Sequence, residues 1–95
     1  MRFVGILWRQ RFADKIVREH HVELTEVEEV LLAKPFVRRR QRGRKQGEDL
    51  YVAYGQTQAG RYVVVFLIRK EDQIAMPISA RDMTQAERRY YESQK

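Results

Sequence analysis

The stretch "GRYVVVFLIRK", residues 60–70, decides the fold of this chain. Six apolar residues follow one another at positions 63–68, which is typical of a strand that is buried on both faces. A strand of that kind lies in the middle of a sheet, so the segments around it must supply its neighbours. We therefore expect a β-sheet with this stretch at its centre, covered on each side.

Two flanking segments are predicted as neighbouring strands. The preceding segment "EDLYVAYGQT" (residues 48–57) joins the central stretch through a short loop at residues 58–60. The following segment "QIAMPISA" (residues 73–80) contains Pro77, which has no amide hydrogen, so we expect a bulge or an unpaired side there. Its large apolar residues are expected to point into the core: Ile74, Met76 and Ile78.

Farther upstream, the sequence predicts one short strand and a helical hairpin. Residues 3–8 are predicted as the first strand, and residues 10–20 as a helix. Thr25 and Glu28 have the spacing of a capping box that begins a second helix, and Pro35 ends it. The apolar side of the first helix is formed at helical spacing by Phe12, Ile16, Val17 and His20.

The remaining elements complete an α+β fold. "FVRRRQ" (residues 36–41) is predicted as a charged outer strand, and Thr84 with Glu87 forms a capping box that begins a last helix. The order is therefore an N-terminal strand, a helical hairpin, an antiparallel four-strand meander and a C-terminal helix. We predict one small α+β domain over residues 1–95.

The positive charge of the chain is local. The net charge is +6, but residues 34–45 hold seven of the 19 basic residues and no acid, while the other 12 basic and 13 acidic residues nearly cancel. Such a run is able to follow a nucleic-acid backbone. The alternatives are a solvated edge strand whose charges prevent aggregation, or a docking strip for an acidic protein. The candidate RNA contacts are Arg38, Arg39, Arg40, Arg42, Arg44 and Lys45.

Composition excludes several other functions. The chain has no cysteine and two adjacent histidines, so it lacks the ligands of a zinc site. It has no nucleophile elbow, no phosphate-binding glycine loop and no HExxH motif, and we expect neither a metal nor a cofactor. Its first 11 residues are too short an apolar segment for a signal peptide or a membrane span. We therefore expect a cytoplasmic protein without membrane contact.

The stretch "ISARDMTQAERRYYE", residues 78–92, suggests an anion site. Arg81 lies just before the last helix, where a guanidinium fork beside free amide groups suits a phosphate. The alternative is that Arg81 pairs with Asp82 or Glu87 and that Tyr90 belongs to the core. Arginine, tyrosine and histidine together are able to cleave RNA without a metal, because they supply a base, an acid and a stabilising charge.

The same stretch resembles the C-terminal part of BrnT-type toxins, which belong to the RelE/ParE-like superfamily. "HHVELTEVEEVL" (residues 20–31) and "GEDLYVAYGQTQAGRYVVVF" (residues 47–66) are similar to further motifs of that family, and Trp8 and His20 keep its Trp-to-His separation. The resemblance extends from Trp8 to Tyr91. It implies a small RelE-like domain that acts as a ribonuclease toxin and inhibits translation.

The resemblance also implies partners and site residues. A cognate antitoxin would neutralise the toxin, and the complex would repress its own operon by binding operator DNA through the antitoxin. Carried over by position, the candidate catalytic residues are Arg81, His20, Arg88 and Tyr91.

Two further hypotheses come from other classes of protein. One is a catalytically inactive domain of the same fold that binds an acidic protein or nucleic acid. The other is a DNA-binding protein that uses residues 23–34 as a recognition helix, but the four acids there would be repelled by phosphates. We also expect the protein's own helices to leave one face of the sheet uncovered, including some of Val63, Val65 and Leu67, so that a partner would be needed to cover it.

Overall fold

A five-stranded sheet forms the centre of the computed structural model, which describes residues 1–41, 43 and 48–95. The elements in chain order are strand β1 (Gly5–Ile6), helices α1 (Gln10–His20) and α2 (Leu24–Leu32), strands β2 (Phe36–Gln41), β3 (Leu50–Gln56), β4 (Tyr62–Lys70) and β5 (Ile74–Asp82), and helix α3 (Gln85–Ser93).

The apolar stretch forms the middle strand, as predicted. The strand order is β1-β5-β4-β3-β2, in which β4 pairs antiparallel with both β3 and β5, and β2 pairs antiparallel with β3. The α+β class and the four-strand meander are therefore confirmed. The first strand differs from its prediction, because β1 has two residues and pairs parallel with the start of β5.

The helical hairpin covers one face of the sheet. Ile16 of α1 and Val27 of α2 are fully buried in the core beneath the hairpin. The alternate residues of β4 on that face are fully buried in the same core: Val63, Val65 and Leu67. The expectation that these three residues lie on an uncovered face was wrong, because strand alternation turns them towards the hairpin.

Helix α2 begins two residues earlier than its predicted capping box. Glu23 is the N-cap residue, and its amide donates to Glu26 Oε1 at 3.0 Å, so Thr25 lies inside the first turn. The helix ends at Leu32, before Pro35, and Lys34 has a φ of 60°. Pro35 therefore follows a helix that has already ended. This is expected, because proline disfavours helical backbone in the residue before it.

Strand β5 contains the predicted irregularity, and it decides where Arg81 lies. Phe66 of β4 faces Ser79 and Leu67 faces Pro77, so Ile78 is an extra, bulged residue. The buried side chains of β5 are Ala75, Pro77 and Ala80, which face the hairpin. The core positions predicted for Ile74, Met76 and Ile78 were therefore wrong, since small residues are needed where α1 packs closely on β5. These three are half-buried.

Helix α3 covers part of the opposite face. Its N-cap is Thr84, whose hydroxyl accepts from the Glu87 amide at 3.1 Å, as the second capping box predicted. Tyr90 packs against the rings of Phe36 and Tyr54 at centroid distances of 5.7 and 5.4 Å. Beyond α3, the same face of the sheet keeps half-buried apolar side chains: Phe66, Ile68 and Met76.

No helix among the described residues has the length and apolar character that crossing a bilayer requires.

Candidate functional site

Arg81 and Glu87 form a two-pronged ion pair between the end of β5 and the start of α3. Arg81 donates from Nη1 to Glu87 Oε1 at 2.7 Å and from Nη2 to Glu87 Oε2 at 2.9 Å. Glu87 Oε1 also accepts from the Thr84 amide at 2.8 Å, so the capping residue and the partner of Arg81 are the same carboxylate. This is the pairing that the sequence left open as an alternative to an anion site.

The pair is charged at neutral pH. The hydrogen bonds from Arg81 hold the pKa of Glu87 below its ordinary value, and the Glu87 carboxylate in turn raises the pKa of Arg81. Arg81 donates a further bond from Nη1 to the Asp82 carbonyl at 3.1 Å. Within the described part of the chain, the Nε edge of Arg81 has no hydrogen-bond partner. That edge is able to receive an anion while Glu87 stays bound.

Two arginines of the edge strand β2 lie over aromatic rings on the same face of the sheet as Arg81. The Arg40 guanidinium carbon lies 5.9 Å from the Phe66 ring centre, and that of Arg81 lies 5.4 Å from the same centre. Arg38 lies 5.2 Å from the ring centre of Tyr90. Alternation along β2 puts Arg38 and Arg40 on the face that α3 occupies, and the sheet register brings them towards β4.

We call this surface the arginine cleft. Its members, with Phe66 as the floor, are Arg38, Arg40, Tyr54, Phe66, Arg81 and Glu87. Three guanidinium groups and one carboxylate give it a net positive charge, and two of the cations lie over one aromatic ring. Such a combination suits a phosphate chain with an adjoining base.

Tyr54 is the neutral polar group of the cleft. The residue is 8% exposed, and burial raises the pKa of its phenol. The nearby Glu87 carboxylate raises that pKa further, whereas Arg38 and Arg40 act in the opposite direction. Tyr54 is therefore a protonated hydroxyl at neutral pH, which is able to donate a proton or a hydrogen bond.

Arg61 fixes the strand end that carries Arg81. Arg61 donates to Asp82 Oδ1 at 2.6 Å, to Glu26 Oε1 at 2.9 Å and to the His21 carbonyl at 3.1 Å. These bonds join the turn between α1 and α2 to the end of β5. They hold the backbone beside Arg81 in place and do not belong to the arginine cleft.

The other predicted RNA contacts divide into two groups. Arg39 alternates away from the cleft and lies 3.6 Å from Asp49, with half of its side chain exposed. Arg42, Arg44 and Lys45 lie outside the described residues.

Arg88 and Tyr91 of α3 both pack against Tyr62, at the start of β4. The Arg88 guanidinium carbon lies 4.1 Å from the Tyr62 ring centre, and Tyr91 packs edge-on against the same ring at 6.0 Å. Tyr62 precedes Phe66 by four residues of β4, which is about 13 Å along a strand. Arg88 lines a separate cavity of about 790 Å³. Among the described residues, Arg81 forms its hydrogen bonds and ion pair with Asp82 and Glu87, and none with Arg88 or Tyr91.

His20 is the last residue of α1, and α1 packs on the face of the sheet opposite the arginine cleft. The structure therefore separates His20 from Arg81 by the sheet. A catalytic role for His20, Arg88 or Tyr91 stays a prediction. In the described ranges, no three His, Cys, Asp or Glu side chains are grouped as metal ligands.

Sequence reasoning missed two members of the cleft, Tyr54 and Phe66, which lie in the apolar stretches of β3 and β4. It named Glu87 as a capping residue and as one alternative partner of Arg81. The available signal was alternation, since Arg38 and Arg40 share a face with Phe36, which pairs with Tyr54. Register across the whole sheet is needed to bring Phe66 beneath these side chains.

Comparisons with known proteins agree with this fold. The sequence model of a family described as "Ribonuclease toxin, BrnT, of type II toxin-antitoxin system" matches residues 8–87, which include the arginine cleft. The crystal structure of the Brucella abortus ribonuclease toxin BrnT is similar, with a TM-score of 0.61 and 15% identity, over 86% of this chain and 99% of that chain. At this identity the likeness shows the fold. The search of curated proteins gave no match.

Proposed function

The chain belongs to the BrnT family of ribonuclease toxins of type II toxin–antitoxin systems, and on that premise we propose that the arginine cleft is its RNA-cleaving site. The observation that carries the proposal is the placement of Arg40 and Arg81 within 6 Å of one aromatic ring, at 5.9 and 5.4 Å. Unlike a simple anion, RNA has phosphates and bases side by side. The arginines of the cleft are able to bind the phosphates, and the Phe66 ring is able to contact a base.

In this proposal, the edge-strand arginines hold the RNA chain. Arg38 and Arg40 are exposed along β2 and belong to no ion pair among the described residues. Contacts from such side chains neutralise phosphates and set the position of the strand without reading its sequence. The half-buried Phe66 ring then offers a surface on which a base stacks.

The proposed reaction is attack of a ribose 2′-OH on the adjacent phosphorus without a metal ion. Glu87 takes the proton of the 2′-OH, the bond between phosphorus and the 5′-oxygen breaks, and a 2′,3′-cyclic phosphate forms. Tyr54 gives a proton to the departing 5′-oxygen. Arg81 binds the scissile phosphate through its Nε edge and stabilises the extra negative charge of the phosphorane.

The proposal extends to the partners of the chain. RNA cleavage in the cytoplasm would inhibit translation, and a cognate antitoxin would neutralise the toxin. The complex would bind operator DNA through the antitoxin. The positive cleft and the half-buried apolar strip of Phe66, Ile68 and Met76 beside it support a partner that covers this face, because such surfaces are commonly interaction sites.

The test uses purified protein and labelled single-stranded RNA, with and without EDTA. We expect the wild type to produce fragments that end in 2′,3′-cyclic phosphate in both conditions, and Arg81→Ala to produce none. A wild type that needs a divalent ion would contradict the mechanism. Absence of cleavage on free RNA and on translating ribosomes would contradict the enzymatic function.

One observation favours the second candidate, a catalytically inactive domain that binds an acidic protein or nucleic acid. Glu87 already occupies two donors of Arg81, and the histidine that the family resemblance suggested lies across the sheet. In that case RNA or an acidic protein would bind the cleft without being cleaved. Alanine at Arg38 or Arg40 would then weaken binding more than alanine at Arg81.

A further inference from the structure

A second positively charged cavity lies at the start of α1. It has a volume of about 490 Å³ and is lined by Arg9, Gln10, Arg11, Phe12, Lys70 and Met76. Three of these six residues are cations and none is an acid. The cavity is large enough for one nucleotide, since small-molecule sites span roughly 300–1,000 Å³.

The cations of this cavity are available to a ligand. The Arg11 guanidinium carbon lies 4.7 Å from the Phe12 ring centre, so one cation is already stacked on the aromatic residue of the cavity. In the ranges that the structure describes, no ion pair involves Arg9, Arg11 or Lys70. Their charge is thus not neutralised by the protein itself, which favours an anionic ligand.

Strand register connects this cavity to the arginine cleft. Phe66, Ile68 and Lys70 alternate onto the same face of β4, and Met76 lies opposite Ile68 on β5. The four residues from Phe66 to Lys70 span about 13 Å. The surface between them is the half-buried apolar strip of Phe66, Ile68 and Met76, which α3 does not cover. The cleft and the cavity are therefore the two ends of one exposed strip.

We propose that this cavity binds a further nucleotide of the same RNA strand that occupies the arginine cleft. Arg9, Arg11 and Lys70 contact its phosphate, and its base lies against Phe12 and Met76. This inference rests on the proposed function, because it assigns a second contact to the RNA that the cleft cleaves. Its consequence is that affinity should depend on RNA length.

The experiment compares two fluorescent 2′-O-methyl RNA strands, which cannot be cleaved because the attacking hydroxyl is blocked. A dinucleotide fills the cleft, and an octanucleotide also reaches the cavity. We expect Lys70→Ala and Arg9→Ala each to weaken octanucleotide binding by about three- to tenfold and to lower its salt slope by about 0.7 per lost phosphate contact. Dinucleotide binding should stay unchanged. Lys15→Ala, which removes a cation from α1 outside the cavity, is the matched control.

Three outcomes would overturn the inference. Equal losses for both strand lengths, or an equal loss in Lys15→Ala, would show that net charge explains the effect. If both cavity variants bind the octanucleotide as the wild type does, while Arg38→Ala loses binding, the cavity does not bind RNA. The proposed function of the arginine cleft would then still hold. A wild type that binds neither strand would remove both. Circular dichroism checks that each variant is folded.

Discussion

Arg81 and Glu87 are bound to each other through two hydrogen bonds, at 2.7 and 2.9 Å, across the corner where β5 leads into α3. Because Glu87 also caps α3, this one carboxylate fixes the direction of the helix relative to the sheet. The helix in turn holds Tyr90 against Tyr54, and so positions the hydroxyl of the arginine cleft. Structure and proposed chemistry therefore depend on the same ion pair.

Glu87→Gln should separate RNA binding from RNA cleavage. The amide oxygen of Gln is still able to accept the capping bond, but the negative charge beside Arg81 is gone. We expect uncleavable RNA to bind more tightly and the cleavage rate to fall by about 10²- to 10⁴-fold, as loss of a general base does. Glu92→Gln, which removes an exposed acid from the same helix, is the control. Cleavage by Glu87→Gln at the wild-type rate would exclude Glu87 as the base.

Tyr54→Phe removes one hydroxyl and leaves the buried ring packed against Tyr90. If Tyr54 protonates the departing oxygen, cleavage should slow by about 10²-fold or more while RNA affinity changes little. Tyr51→Phe, on the alternate face of the same strand, is the matched control. Single-turnover kinetics measure the rate, and an equal rate in Tyr54→Phe and the wild type would remove Tyr54 from the mechanism.

Alanine substitutions in β2 test which face of this edge strand binds the RNA. Alanine at Arg38 or Arg40 should weaken RNA binding and reduce its salt slope by about 0.7, since each loses one phosphate contact on a single strand. Alanine at Arg39 should have a smaller effect, because that side chain points away from the cleft towards Asp49. Binding titrations over a range of salt concentrations measure both quantities. Three equal slopes would indicate unspecific attraction to the basic run.

The ion pair between Arg61 and Asp82 predicts a pH-dependent contribution to stability. The hydrogen bond from Arg61 lowers the pKa of Asp82 in the folded state. The contribution is therefore complete above the unfolded pKa of about 3.9 and is lost as the pH falls through the lower folded value. Asp82 is 64% exposed, so solvent screening limits the contribution to roughly 1 kcal/mol or less.

Asp82→Asn tests this contribution by urea unfolding. The variant should be less stable than the wild type at pH 7, and the difference should be smaller at a pH below about 3.9, because the contribution is lost as the pH falls through the lowered folded pKa of Asp82. Glu19→Gln supplies the control, because Glu19 forms no ion pair within the described ranges. A difference that is equal at both pH values would show that the effect is not electrostatic.

Hydrophobic pattern and capping signals predicted most of the fold. The apolar run at residues 63–68 gave the central strand, and Thr84 with Glu87 gave the start of α3. The orientation of β5 was not predictable in the same way. Large residues are expected in the core, but the close approach of α1 requires smaller ones, and the buried residues of β5 are Ala75, Pro77 and Ala80.

The site was predictable in part. Arg81 and the arginines of β2 follow from charge and position in the sequence. The meeting of Arg40 and Arg81 at Phe66 depends on the pairing of four strands, which local patterns do not contain. The pairing of Arg81 with Glu87 was one of two open alternatives, since the angle at which α3 leaves the sheet decides between them.

Photo-cross-linking tests the location of the RNA site most directly. A 2′-O-methyl RNA strand that carries 4-thiouridine is bound to the wild type, irradiated, and its attachment points are mapped by mass spectrometry. The arginine cleft predicts attachment at Phe66, lost in the Arg81→Ala variant. Attachment at Tyr62 or Tyr91, and none at Phe66, would contradict the central claim and place the RNA beside Arg88.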